Sequence, residues 1–293
     1  MAHKYSVVLG TLASGGGDVW KSPDEILETI AEAGYDGVDL DAEPDRIDPE
    51  LFRRVADRAQ ALGLKIPALL GAWGVEHAGE ERDLASSDED KRGYAVSYAK
   101  RCVDLAATFD EPPVFEIAAV AFRSEYPIAG IPHGVLQECF ERSVREIAAH
   151  AAAHRVLVAI EPINRFEGYA GFMNSIGDAM SMVRSLDAAN LGVLADLFHV
   201  NIEDGPLTHA LRQASDKLLF IHLADSNRQA PGTGHIDFLN VVRTLDEIGY
   251  AGYLSLDSLP ARPDWKTVVE ESIRFMRQIE QTVALQHQIA NRG

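Results

Sequence analysis

The 293-residue chain is poor in thiols, poor in basic charge and without a long apolar run, and each shortage removes a class of answer. Two cysteines, Cys102 and Cys139, are too few for a disulfide framework. Both fall in segments that read as helices, so reduced thiols in a cytoplasmic setting are expected. Lys and Arg number 27 against 45 Asp and Glu, a formal charge of -18. That balance disfavours a nucleic-acid duplex or an anionic membrane as partner and leaves a small neutral substrate or a divalent cation open. No apolar stretch approaches the ~20 residues that span a bilayer. SVVLGTL near the start is too short for a signal peptide and reads better as a first strand, so a soluble, unprocessed chain is expected.

What the chain has is alternation. Short apolar runs rich in β-formers recur at YSVVLG (5–10), GVDLD (37–41), KIPALLG (65–71), VFEIAAV (114–120), VLVAIEP (156–162), LGVLAD (191–196), LLFIHLAD (218–225) and YLSLDS (253–258), each followed by an amphipathic segment. SPDEILETIAEAG carries helix signals at both ends: Ser22 as cap, Pro23 in the first turn, Glu25 completing a capping box and Gly34 as stop. PELFRRVADRAQALG puts Leu51, Val55, Ala59 and Leu62 on one face before Gly63, and FLNVVRTLDEIG repeats the pattern before Gly249. Eight strand–helix pairs without a composition break predict a single-domain (β/α)8 TIM barrel over residues 1–293. Two longer polar segments, at about 72–90 and 121–133, follow the third and fourth strands. Loops after strands build the active-site face of such a barrel, so both are expected near a substrate. The amphipathic end, residues 265–288, is either the eighth helix or an extension that associates copies into a dimer or tetramer.

The chemistry concentrates at the ends of the last four strands, which offer Glu161, Asp196, His222 and Asp257 to one mouth. Taken singly, a strand-end Asp caps the next helix and a His satisfies a core. Taken together, three carboxylates and an imidazole suit a hard or borderline divalent cation such as Mn, Mg or Co, and a cation explains how three acids tolerate crowding.

These residues sit in motifs that carry a resemblance. EPINRFEG (161–168), ADLFHVN (195–201) and HLADSNRQAPGTGHIDF (222–238) resemble the matching segments of ketose 3-epimerases, the tagatose and psicose epimerase group of the xylose isomerase-like barrels; the EPIN opening and the GTG turn are also similar to hydroxypyruvate isomerases. The resemblance implies that Glu161, Asp196, His222 and Asp257 hold one divalent metal, manganese in the first place, and that Glu161 and Asp257 double as the acid/base pair. It further implies that Glu167 contacts substrate hydroxyls and that His199 and Arg228 bind the carbonyl end. The family usually has Glu where this chain has Asp257, a side chain shorter by one methylene.

The expected activity is metal-dependent epimerisation of an unphosphorylated ketose at C3 through an enediolate. Aldose–ketose or hydroxypyruvate-type isomerisation, lyase or dehydratase chemistry on a cyclic polyol or sugar-derived ketone, and a non-catalytic sugar-binding barrel are the alternatives. Phosphate in the GTG turn (232–234) is disfavoured because few Lys or Arg lie nearby.

Overall fold

The computed structural model describes residues 2–71, 82–119, 131–168 and 171–290. Eight parallel strands form the centre: β1 (Lys4–Val7), β2 (Leu40–Asp41), β3 (Ala68–Leu70), β4 (Val114–Ala118), β5 (Val158–Glu161), β6 (Leu191–Asp196), β7 (Leu218–Leu223) and β8 (Tyr253–Leu256). Hydrogen bonding runs β1-β8-β7-β6-β5-β4-β3-β2. A parallel bridge between Val8 and Asp39 closes the ring, with Asp39 N–H donating to Val7 O at 2.8 Å and Leu9 N–H to Asp39 O at 3.1 Å. The expected (β/α)8 TIM barrel is therefore the fold.

Ten α-helices are described: α1 (Leu9–Leu12), α2 (Pro23–Ala33), α3 (Pro49–Ala61), α4 (Glu89–Ala106), α5 (His133–Ala153), α6 (Ile176–Leu186), α7 (Leu197–Glu203), α8 (Leu207–Ala214), α9 (Phe238–Ile248) and α10 (Trp265–Ala290). The longer ones bury one stripe against the outer faces of the strands, joining a single large apolar core. Cys102 on α4 and Cys139 on α5 are both free and buried, Cys102 within that core. No described helix is long and apolar enough to cross a membrane.

Several ends differ from the sequence expectation. The run read as the first strand stops at Val7, and Leu9–Leu12 turns helical, burying Leu9 and Leu12 at an i, i+3 spacing that an apolar run alone does not distinguish from a strand. Ser22 precedes α2 but its side chain makes no capping bond, so no box with Glu25 forms; Pro23 and the left-handed Gly34 at φ 93° do bound that helix. Working caps lie elsewhere, at Asp48 before α3 and in a Ser175–Asp178 capping box before α6. Of the long segments at 72–90 and 121–133, residues 72–81 and 121–130 lie outside the described residues. Where the first becomes described, Arg82 is anchored by two bonds to Glu43, at 2.6 and 2.9 Å, and stacks on Tyr98.

Inside the ring, Ala68, Ala159, Leu194 and Phe220 pack together as an apolar layer. Because strand side chains alternate with period two, the residues two further along β5, β6 and β7 face the same lumen one level higher. Those residues are Glu161, Asp196 and His222. The lumen is thus greasy below and ionisable at the mouth.

Asp41, at the end of β2, accepts from the Trp20 indole at 3.4 Å. Burial, with Glu43 and Asp18 nearby, pushes its carboxyl up to about 6. Its folded pKa exceeds its unfolded value of about 3.9, so the fold favours the neutral acid and stability drains away as pH rises through about 6. Asp41→Asn keeps the acceptor for Trp20 and removes the charge. It is expected to raise the melting temperature by a few degrees at pH 8 and to leave it unchanged near pH 4, measured by calorimetry.

Candidate metal and substrate site

Glu161, Asp196 and His222 each offer a ligand atom within 4.8 Å of the other two. Asp257, the residue after β8, places Oδ2 3.4 Å from His222 Nδ1, and Glu161 Oε1 lies 3.6 Å from the same nitrogen. All four expected ligands therefore meet, although Asp257 stands outside the tight group of three. Asp257 Oδ2 instead accepts from Arg228 Nη2 at 2.7 Å, while Arg228 Nη1 donates to Asp196 Oδ2.

The charges are not equivalent. Burial pushes Glu161 up to about 7 against the pull of His222. Burial acts on Asp196 in the same sense, but Arg228, His199 and His222 outweigh it and hold this acid below its ordinary value. For His222, burial opposes the charge, yet Glu116, Glu161 and Asp257 raise it well above the usual imidazole range.

The three expected substrate contacts line the same mouth. The short helix α7 starts directly after β6, where the Asp196 carboxylate accepts from Phe198 N–H at 2.8 Å, and this turn presents His199 to the lumen. His199 Nε2 is 3.7 Å from Asp196 Oδ2 and 3.9 Å from Glu161 Oε1; its Nδ1 is 3.8 Å from Glu167 Oε2. The Asn164 side chain fixes the ring: its Oδ1 accepts from Phe166 N–H at 3.0 Å, which turns the amide NH2 to His199 Nδ1 at 2.7 Å. Nδ1 is then the acceptor and the proton sits on Nε2, facing the carboxylates. Burial drives the His199 pKa down to about 3, so the ring is neutral. Arg165 clamps this segment to α7 through Glu203, with contacts of 2.6 to 3.0 Å.

Arg228 reaches the mouth from a turn organised by Asp225. That buried carboxylate accepts from the backbone N–H groups of Ser226, Gly232 and Ile236 at 2.7, 2.8 and 3.1 Å. Arg228 itself has φ 61°, a left-handed conformation unusual for a non-glycine residue and a mark of constraint at functional turns. A Cβ on Gly234 would stand 2.3 Å from Asp225 Oδ1. The GTG turn thus wraps a carboxylate of its own chain. Within it, Gly232 N–H is committed to that carboxylate and Thr233 N–H to Ala230 O, at 2.8 and 3.2 Å.

Sequence reasoning missed three residues here. Asn164 lies within EPINRFEG, where only its bond to His199 reveals its part. Glu116 on β4 is buried and puts Oε2 3.3 Å from His222 Nε2; its signal was an acid inside the apolar run VFEIAAV. Asp39 lies near the ring closure and accepts from the hydroxyls of Ser6, at 3.2 Å, and Ser255. A separate group joins Asp104 on α4, His150 on α5 and His154 just after α5.

The donor set fits a divalent cation. His222 is buried with neither ring nitrogen in an aligned hydrogen bond, and carboxylates face both nitrogens. Oxygen donors plus one imidazole match hard or borderline ions.

A family model described as xylose isomerase-like TIM barrel matches residues 27–279. The chain belongs to that family. Among curated proteins it is similar to the D-psicose 3-epimerase of Ruminiclostridium cellulolyticum, 29% identical over 79% of this chain and 76% of that one. It is also similar to the 3-dehydro-D-guloside 4-epimerase of Escherichia coli, 24% identical over 87% and 95%. Among solved structures, D-psicose 3-epimerase from Clostridium cellulolyticum with D-tagatose superposes with a TM-score of 0.81, covering 94% of this chain and 99% of that one at 22% identity.

Arg228→Gln removes the cation that bridges Asp196 and Asp257. Breaking such a buried pair costs about 3 kcal/mol, less here because the arginine side chain is 18% exposed. In chelator the variant is expected to melt several degrees below the wild type. Manganese should restore more of that loss than it adds to the wild type, because a bound cation supplies the missing charge; differential scanning fluorimetry with and without the ion reads both.

Proposed function

We propose that the protein is a divalent-metal-dependent epimerase acting at C3 of an unphosphorylated, open-chain ketose through an enediolate. The broader class, an enzyme of the sugar epimerase and isomerase kind, rests on the family and on the relatives named above. The observation that carries the finer reading is that Glu161 and Asp257 approach the same imidazole nitrogen of His222 from β5 and from the end of β8, at 3.6 and 3.4 Å. Epimerisation needs two such groups, one to take a proton from carbon and one to return it on the other face.

A bound divalent ion, manganese first and magnesium or cobalt otherwise, held by Glu161, Asp196, His222 and Asp257, would supply Lewis-acid stabilisation of the enediolate charge. The chain's own groups do the rest. Glu161 is the group placed to take the proton from carbon. Asp257 delivers the proton to the opposite face. Neutral His199 offers its Nε2–H, and Arg228 its guanidinium, to the oxygens at the carbonyl end. Glu167 accepts from substrate hydroxyls. The self-occupied GTG turn supports a neutral sugar. The cytoplasm is the expected location, and the end of α10, where Leu285 and Ile289 are exposed, is the element through which a dimer or tetramer would form.

One observation favours a second reading. Asp257 is about 1.5 Å shorter in reach than Glu and its Oδ2 is bonded to Arg228. A misplacement of about 1 Å costs on the order of 100-fold in rate. With Glu161 as sole base, transfer on one face gives aldose–ketose isomerisation instead.

The metal-loaded protein, incubated in D2O with ketohexoses and ketopentoses, is expected to yield C3 epimers carrying deuterium at C3, read by NMR. An aldose product selects the second reading, and absence of label at any carbon overturns both. Asp257→Glu is expected to raise epimerisation about tenfold or more if reach limits the rate, whereas Glu161→Gln should abolish it.

A further inference from the structure

We infer that Glu116 is a positioning residue: its carboxylate stands against His222 Nε2, takes that N–H when a divalent ion occupies Nδ1, and so fixes the imidazole with Nδ1 turned to Glu161 and Asp257. The inference rests on the metal reading of the preceding section.

Its ground is the placement of one buried carboxylate. Glu116 is 3% exposed and projects from β4 into the lumen, across the ring from His222 on β7. Its strand neighbours Phe115 and Ile117 face the helices and belong to the apolar core. Nothing in core packing calls for an acid at this position, and an uncompensated buried carboxylate costs several kcal/mol. The compensation lies in His222, whose Nε2 is 3.3 Å from Glu116 Oε2. The two ring nitrogens thus face opposite ways: Nε2 to an acid below, Nδ1 to Glu161 at 3.6 Å and Asp257 at 3.4 Å at the mouth. A histidine that ligates a metal through one nitrogen generally gives its other N–H to a carboxylate, which sets the tautomer and raises ligand basicity. Glu116 is not among the three residues whose ligand atoms converge, so its part is exerted through His222.

The test compares wild type, Glu116→Gln and Glu116→Ala as full-length protein. Melting in chelator first identifies the folded variants; the near-isosteric Gln variant carries the test if Ala does not fold. Titration calorimetry with Mn2+ and Co2+ is expected to show binding about 10-fold weaker for Gln and about 100-fold weaker for Ala. In the Co2+-loaded protein, the hyperfine-shifted imidazole N–H resonance should exchange with solvent faster in both variants, which a merely structural role would not produce. Folded variants with wild-type affinity and an unchanged N–H signal overturn the inference alone. A wild type that takes up neither ion overturns the metal reading and this inference with it.

Discussion

The structure depends on how a closed ring of strands disposes of like charges. Period-two alternation turns Asp39, Glu116, Glu161, Asp196 and Asp257 into one low-dielectric lumen, where unshielded carboxylates repel one another strongly. Each is relieved differently. Asp39 accepts from two serine hydroxyls, and burial and the nearby Glu116 push its carboxyl well above the ordinary carboxylate range. Glu116 faces His222, Asp196 and Asp257 share Arg228, and Glu161 is left near neutrality. A divalent cation at the mouth would relieve the remaining repulsion where it is greatest, among the groups at the strand ends.

The loops that complete the mouth are held mainly by side chains bonded to backbone. Asp225 gathers three N–H groups of its own turn, and Arg228 emerges from that turn with its carbonyl accepting from Leu259 N–H at 3.0 Å, just beyond β8. Arg165 fastens the segment after β5 onto the helix that bears His199. Orientation is thus fixed before any substrate arrives, which is what directed proton transfer requires. In the same turn the Gly232 N–H is committed to Asp225 and the Thr233 N–H to Ala230 O, so two of its backbone donors are already engaged.

How much of this was legible in the sequence follows from which interactions are local. Strand–helix alternation is a local pattern, so eight strands and the ring could be read from it. Glu161, Asp196, His222 and Asp257 were legible because each ends or nears the end of a strand, and a parallel barrel brings strand ends to one face. Glu116 and Asp39 escaped because their meaning depends on the ring's closure: an acid within VFEIAAV is an anomaly until β4 stands across from β7. Ser22 resembles a cap in sequence, and its backbone dihedrals, φ -130° and ψ 59°, differ from those of Ser175, whose side chain does close a capping box.

Asp257 shows most clearly that holding a cation and moving a proton are separable demands. A ligand needs only to bring an oxygen within reach. A base must place its oxygen above one face of a carbon to within about 1 Å. Asp257 Oδ2 stands 3.4 Å from His222 Nδ1, close to the proposed ligand atoms, while Arg228 draws the same oxygen aside at 2.7 Å. Substrate that engages Arg228 through its carbonyl-end oxygen would compete with Asp257 for that guanidinium and free the carboxylate. Under the proposed reaction, an Arg228 that engages substrate would also release Asp257, coupling binding to proton return.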